Sequence, residues 1–147
     1  MNSSLVYLVQ TDTTVGFSSS DDEKLSEIKQ RPKTQKILQT IDTHKTLNSF
    51  TRVAKKYRKR VRNSKNTTFI YPNLKSFRKI ETTSSYRFFV NKFKNIYSTS
   101  ANLTGHEYDK DFAISKADII VYDKYGFSTS NASTILRVSK NRLKKLR

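Results

Sequence analysis

Ile96-Tyr97-Ser98-Thr99-Ser100-Ala101-Asn102-Leu103-Thr104-Gly105 is a short β-prone run that gives way to a hydroxyl-rich loop closed by a glycine. Its pattern predicts a strand ending in a polar loop. The same arrangement stands near the start, where Leu5 to Gln10 is apolar and meets Thr11-Asp12-Thr13-Thr14-Val15-Gly16. A third polar feature, Ser133-Thr134-Ile135, opens a late apolar run. In open α/β sheets, ligands sit just beyond strand ends. Small hydroxyls and an Asn amide bond phosphate oxygens or a purine edge without crowding them, and a nearby Gly lets the backbone come close.

Working outward, Ser20-Asp21-Asp22-Glu23 supplies an N-cap and an acidic first turn for a helix carrying Leu25 and Ile28 and closed by Pro32. Its end, Lys29-Gln30-Arg31-Pro32-Lys33, gathers cations at the negative pole of the helix. Lys36 to Thr40 reads as a second strand. A longer helix starts at Asp42 or Thr43, with Leu47, Phe50, Val53, Ala54, Tyr57 and Val61 on one face. Its other face is basic, and Arg52, Lys55, Lys56 and Lys59 are candidate contacts for RNA or another polyanion. A solvated face on an amphipathic core helix is the plainer reading of each of them. Thr67 to Tyr71, Tyr86 to Val90 and Ala117 to Asp123 are strand-like, Pro72-Asn73 marks a turn, and Ser133 to Val138 and Leu143 to Leu146 close the chain as strands or strand plus helix. Strands and helices alternate without a regular period. The expected architecture is one mixed α/β domain over residues 1–147, a twisted sheet of parallel and antiparallel strands with helices packed on it.

Composition narrows the chemistry. The 147 residues carry 29 Lys and Arg against 12 Asp and Glu, a formal charge of +17, so the surface attracts phosphates and other polyanions. Part of the Lys, Asn and Ile bias is of the kind AT-rich coding produces. The absence of Cys excludes disulfides, thiolate zinc sites and cysteine nucleophiles. Two histidines, His44 and His106, do not make a metal site; Asp12 and Asp118 could bind a metal or orient a cation, but turn and capping roles are the favoured reading. No segment approaches the roughly 20 apolar residues of a membrane span, and Met1 to Gln10 lacks the pattern of a signal peptide. A cytoplasmic location without membrane attachment is expected.

Taken in order, Gln10-Thr11-Asp12-Thr13-Thr14-Val15-Gly16-Phe17, Lys29-Gln30-Arg31-Pro32, Thr99-Ser100-Ala101-Asn102-Leu103-Thr104-Gly105 and Ser133-Thr134-Ile135 form a set that is far more specific than any one of them. The set resembles the YrdC-like family of threonylcarbamoyl-adenylate synthases. That family shows a Pro-Thr-Asp-Thr-Val-Tyr-Gly-Leu loop, then Lys-x-Arg-Pro, Ser-Ala-Asn-x-Ser-Gly and a late Ser-Thr-Ile or Ser-Thr-Val. Here Gln10 and Val15 replace the Pro and Tyr of the first loop, Arg62-Asn63-Ser64-Lys65-Asn66 stands where a Pro-Gly-Pro turn is usual, and no Pro follows Arg87.

The resemblance implies a YrdC/RibB-like α/β fold with a basic concave face. It implies a nucleotidyltransferase that makes L-threonylcarbamoyl-adenylate and pyrophosphate from ATP, L-threonine and bicarbonate, for threonylcarbamoyladenosine modification of tRNA. Lys29 and Arg31 are then the catalytic pair and, with Ser100, Asn102 and Ser133, the ATP or adenylate contacts. Thr11, Thr13 and Arg87 would line the threonine pocket, Arg87 matching an Arg that follows a central strand. Mg2+ would arrive with ATP, with no metal cluster held by the protein. Downstream proteins that transfer the threonylcarbamoyl group to tRNA are implied partners. The alternative is a non-catalytic relative that binds nucleotide, double-stranded RNA or tRNA with the same basic face; aromatics among cations, as in Tyr57-Arg58-Lys59-Arg60, would serve base stacking.

Overall fold

The structure is a computed structural model that describes residues 1–32 and 34–147; Lys33, the last cation of the expected helix end, lies outside the described residues. In chain order the elements are β1 (Tyr7–Gln10), β2 (Val15–Ser19), α1 (Asp22–Ile28), β3 (Leu38–Ile41), α2 (His44–Phe50), a 3-10 turn (Lys55–Tyr57), α3 (Arg58–Asn63), β4 (Thr67–Ile70) and β5 (Ser76–Lys79). There follow α4 (Tyr86–Phe93), β6 (Asn95–Ser100), α5 (Lys110–Lys116), β7 (Ile119–Val121), β8 (Thr134–Val138) and β9 (Leu143–Lys145). The strands form one nine-stranded sheet in the order β7-β1-β2-β6-β3-β5-β4-β8-β9. Pairs β1–β7, β3–β5 and β4–β8 are parallel and the rest antiparallel, the mixed sheet expected from the irregular alternation.

The two faces of the sheet are built differently. On one, Leu8, Val15 and Phe17 pack under α1 and α5 through Leu25 and Ala113. Further along it, Ile41, Phe69, Phe77, Leu136 and Val138 pack with Leu47 of α2 and Val61 of α3. On the other face α4 covers Tyr7, Val9 and Ile96 with Tyr86, Phe89 and Val90. Starting beneath α4, where the Tyr86 hydroxyl lies 3.0 Å from Ser18 Oγ and 3.3 Å from Thr40 Oγ1, that face turns polar. Strand alternation and register put Ser18, Ser98, Thr40, Arg78 and Thr68 on it together, and all five are buried. Buried polar groups cost stability unless they are bonded, so a hydroxyl and guanidinium belt inside a sheet marks a place where packing is not the only demand.

Two expected elements are corrected. Tyr86 to Val90 is not a strand but the first part of α4. Tyr86, Phe89, Val90 and Phe93 recur at helical spacing, and Phe88 is 77% exposed while Phe89 is 5% exposed. A strand would have put Phe88 on the same side as Tyr86 and Val90. The long basic helix is also absent. α2 ends at Thr51, whose backbone is extended at φ −158° and ψ 154°, and the chain re-enters helix only at the 3-10 turn and α3. In a continuous helix Val53 would lie well off the line joining Leu47 and Val61; the break lets all three enter one core. Two strands, β2 and β5, were not anticipated: Val15-Gly16-Phe17-Ser18-Ser19 and Ser76-Phe77-Arg78-Lys79 are short and half polar.

Candidate functional site

The end of α1 sets up the first part of the site. Asp21 caps its start by accepting from the Lys24 N–H at 3.1 Å. At its close, Gln30 takes a left-handed backbone (φ 51°), the Gln30 N–H donates to Glu27 O at 3.0 Å and the Arg31 N–H to Ser26 O at 2.9 Å. This pair of bonds is the Schellman closure. It closes the helix at Lys29, whose side chain reaches the end of β6. Lys29 is 1% exposed. Its Nζ donates to Ser100 O (2.8 Å), Ser100 Oγ (3.3 Å), Asn102 O (2.6 Å) and Asn102 Oδ1 (3.0 Å). Its own carbonyl accepts from the Thr104 Oγ1 hydroxyl at 2.8 Å. Asn102 Nδ2 in turn donates to Leu103 O at 2.9 Å and His106 O at 2.6 Å, which fixes the amide with its oxygen toward the lysine. Burial, with the Arg31 charge adding to it, lowers the Lys29 pKa to about 8. Burial also lowers that of Arg31. Among the described residues no carboxylate stands within ion-pair distance of Lys29.

The turn between β1 and β2 forms the second part. Thr11 Oγ1 donates to Thr14 O at 2.6 Å, accepts from the Thr13 and Thr14 N–H groups at 3.2 Å each, and lies 3.2 Å from Thr13 Oγ1. Thr11 thus shapes the turn with its hydroxyl. Gly16, opposite Ser100 in the β2–β6 pair, holds the turn against the Lys29 cluster. A Cβ there would stand 2.7 Å from Thr99 O, so a side chain cannot enter without moving backbone. Asp12 takes the second of the roles considered for it, orienting a cation: it projects to Arg78 of β5, with Arg78 Nη2 2.9 Å from Asp12 Oδ1 and side-chain exposures of 6% and 9%. Burial raises the Asp12 carboxyl pKa while the Arg78 charge opposes the rise. Arg78 was missed in the sequence; its cue was a charge on the inward phase of a strand too short to recognise.

A strap closes the site. Residues 122–133 run from β7, at one edge of the sheet, to β8 near the other. The Ser128 N–H donates to Gln10 Oε1 at 2.8 Å, the Val15 N–H donates to Ser128 O at 3.1 Å, Thr14 bridges Thr129, and Ser130 Oγ donates to Thr13 O. The strap ends at Ser133, whose Oγ lies 3.0 Å from Thr68 Oγ1, both residues being buried.

Lys29, Ser100 and Asn102 are therefore in direct contact, and the strap links Thr13 to Ser133 along one side of the sheet. Arg31 is half-buried, with no partner for its Nε. Arg87 does not follow a strand: it is in the first turn of α4, its Nε buried without a partner, and no hydrogen bond joins it to Thr11 or Thr13 among the described residues. The arginine carried on a central strand is Arg78. Arg52, Lys55, Lys56 and Lys59 lie elsewhere, around the 3-10 turn and α3. Asp118, read as a turn or capping residue, instead ties the starts of β1 and β7 by accepting from the Val6 N–H at 2.8 Å. Among the described residues no three His, Cys, Asp or Glu gather to hold a metal ion, and no helix is long and apolar enough to cross a membrane.

Compared with solved structures, the chain superposes on P. abyssi Sua5 complexed with L-threonine at a TM-score of 0.79 with 14% identity, over 98% of this chain and 50% of that one. On E. coli YciO the score is 0.77 at 18% identity, over 98% and 82%. The chain has a YrdC-like fold. Full-length HypF in its phosphate- and nucleotide-bound form contains the same fold, at 0.72 and 12% identity over 98% of this chain and 27% of that one. At these identities the likeness is one of fold, and the YrdC-like fold here spans half the length of the P. abyssi protein. No family model and no curated protein sequence matches the chain.

Proposed function

We propose that this YrdC-like chain binds ATP at the Lys29–Ser100–Asn102 cluster and transfers its adenylyl group to N-carboxylated L-threonine, making L-threonylcarbamoyl-adenylate and pyrophosphate. The observation that carries this reading is the buried Lys29 ammonium, which has Arg31 as a like-charged neighbour and no acid beside it among the described residues. A buried cation without a counter-ion is costly, and an anion entering the site relieves that cost. Triphosphate oxygens supply such an anion, with Arg31 as a planar fork beside the point charge of Lys29. The bound L-threonine of P. abyssi Sua5 and the phosphate and nucleotide of HypF support the same use of the fold.

The threonine amine and bicarbonate first condense to a carbamate with loss of water. Its oxygen attacks the α-phosphorus as the bond from that phosphorus to the pyrophosphate oxygen breaks. The chain's own residues align and neutralise. Lys29 and Arg31 hold phosphate charge, Asn102 and Ser100 hold Lys29 and Ser100 adds its hydroxyl, and the turn shaped by Thr11 and Thr13 walls the amino-acid side. Ser133 stands at the far end of the strap beside the nucleotide. Magnesium enters on the polyphosphate, as hard cations do; the hydroxyls and cations of the site fit a metal carried that way and not one held by protein carboxylates. The activity belongs to the cytoplasm, and the product passes to proteins that modify tRNA.

The test is pyrophosphate release from ATP, Mg2+, L-threonine and bicarbonate, omitting each in turn. Release should require all of them and fall by about 100-fold or more in Lys29→Ala. ATP binding without turnover in any combination would leave a nucleotide-binding relative instead.

A further inference from the structure

Acidic residues are distributed very unevenly. Between Asp42 and Glu81 there are twelve Lys and Arg and no acid, and after Asp123 there are seven more and no acid. The fold brings these two segments together. β4 and β5 belong to the first, β8 and β9 to the second, and the four strands are neighbours at one end of the sheet. The core beneath them draws Leu47, Val61, Phe69 and Phe77 from the first and Leu136 and Val138 from the second. Lys56 Nζ ties the segments at the surface by donating to Asn141 O at 2.7 Å.

Two open recesses lie on this half. One, of about 440 Å³, is lined by His44, Asn48, Thr51, Arg52, Arg58 and Arg62 among others. The second, of about 560 Å³, is lined by Arg52, Lys55, Lys56, Ser139, Lys140 and Asn141 with Pro72 and Val138. Arg52 lines both, so the two recesses adjoin at its side chain, and together they are the basic groove of this half. Neither includes Lys29, Ser100 or Asn102.

We propose that this groove is a second polyanion site that holds the backbone of a folded RNA. Phosphates set about one nucleotide apart answer exposed cations with no acid among them. The neutral donors and acceptors between the cations, Asn48, Thr51, Ser139 and Asn141, match 2′-hydroxyls, which DNA lacks. Recessed cations reach a ribbon of phosphates better than a flat anionic bilayer.

The experiment is fluorescence anisotropy of the full chain with a labelled RNA hairpin, a DNA hairpin of the same sequence, and, by co-sedimentation, vesicles of phosphatidylserine and phosphatidylcholine, each over a salt series. The variants are Arg52→Glu/Lys55→Glu/Lys140→Glu, three exposed positions that line the groove, with circular dichroism checking the fold of each variant, and Lys29→Ala. RNA should bind more tightly than DNA or vesicles. The triple variant should weaken RNA binding at least about tenfold and reduce the salt slope by roughly 2 to 3, while Lys29→Ala leaves both unchanged. Equal or tighter binding of DNA or vesicles, an unaltered affinity in the folded triple variant, or loss of RNA binding in Lys29→Ala would each overturn the proposal. Because pyrophosphate release needs no RNA, the adenylyl-transfer reading stands or falls separately.

Discussion

At neutral pH the Lys29 ammonium has three protons to share among four oxygens of Ser100 and Asn102. Deprotonation removes one donor and the charge that a phosphate would seek. With the Lys29 pKa brought down to about 8 by burial, ATP affinity should decline as pH rises through that value. An ordinary lysine keeps its charge to about 10.4. Above pH 8, ATP binding should therefore take up a proton, because the phosphate favours the charged form. Calorimetry in buffers of different ionisation heat checks this, and Lys29→Arg should abolish the uptake. Asp12 and Arg78 are a second costly arrangement, a buried ion pair. Asp12→Asn would strand the guanidinium and should destabilise the fold by about 3–5 kcal/mol, whereas Asp12→Leu with Arg78→Met should recover most of that loss in urea unfolding. The sequence made Lys29, Ser100 and Asn102 visible because their spacing belongs to a recognisable set. Arg78 stayed hidden because no local pattern distinguishes an inward-facing strand charge from a surface one.

Elements were legible where a cap or a turn punctuates them. Asp21 opens α1 and Pro72-Asn73 bounds β4 as read, whereas α1 closes through the Gln30 reversal, ahead of the Pro32 that the sequence marks. They were misread where composition and periodicity conflict. In Tyr86 to Phe93 the aromatic residues favour strand, while the burial of positions 86, 89 and 90 follows a helix. Phe89→Ala should cost about 3–5 kcal/mol, since its ring packs 5.3 Å from Tyr7 and 5.7 Å from Tyr86 between centres. Phe88→Ala should change stability by less than about 0.5 kcal/mol. Chemical denaturation of the two variants separates helix from strand, because a strand would bury Phe88 and expose Phe89. The interruption between α2 and α3 has a similar origin. Alternation of basic and apolar residues suits one amphipathic helix, but the core asks for Val53 at an angle that one helix cannot supply.

The molecule as a whole is divided in charge as it is in architecture. Acids cluster at the β7–β1–β2 end with α1 and α5, cations at the β5–β4–β8–β9 end, and the Lys29 cluster stands near the boundary. Only the total of +17 is visible from composition; the division depends on which strands become neighbours, and those pairings are long in range. One pairing also bears on how the chain is made. β4 finds its parallel partner in β8, so Thr67 meets Thr134 only after 66 intervening residues have been added. During synthesis from the N-terminus, β4 and β5 must wait with one edge open and Phe69 lacking the cover of Leu136. The strap that crosses the sheet is the last connection before this edge is sealed. A ribosome stalled along it would present an unpaired strand to neighbouring nascent chains, a hazard that makes this half of the fold the one most in need of chaperone protection.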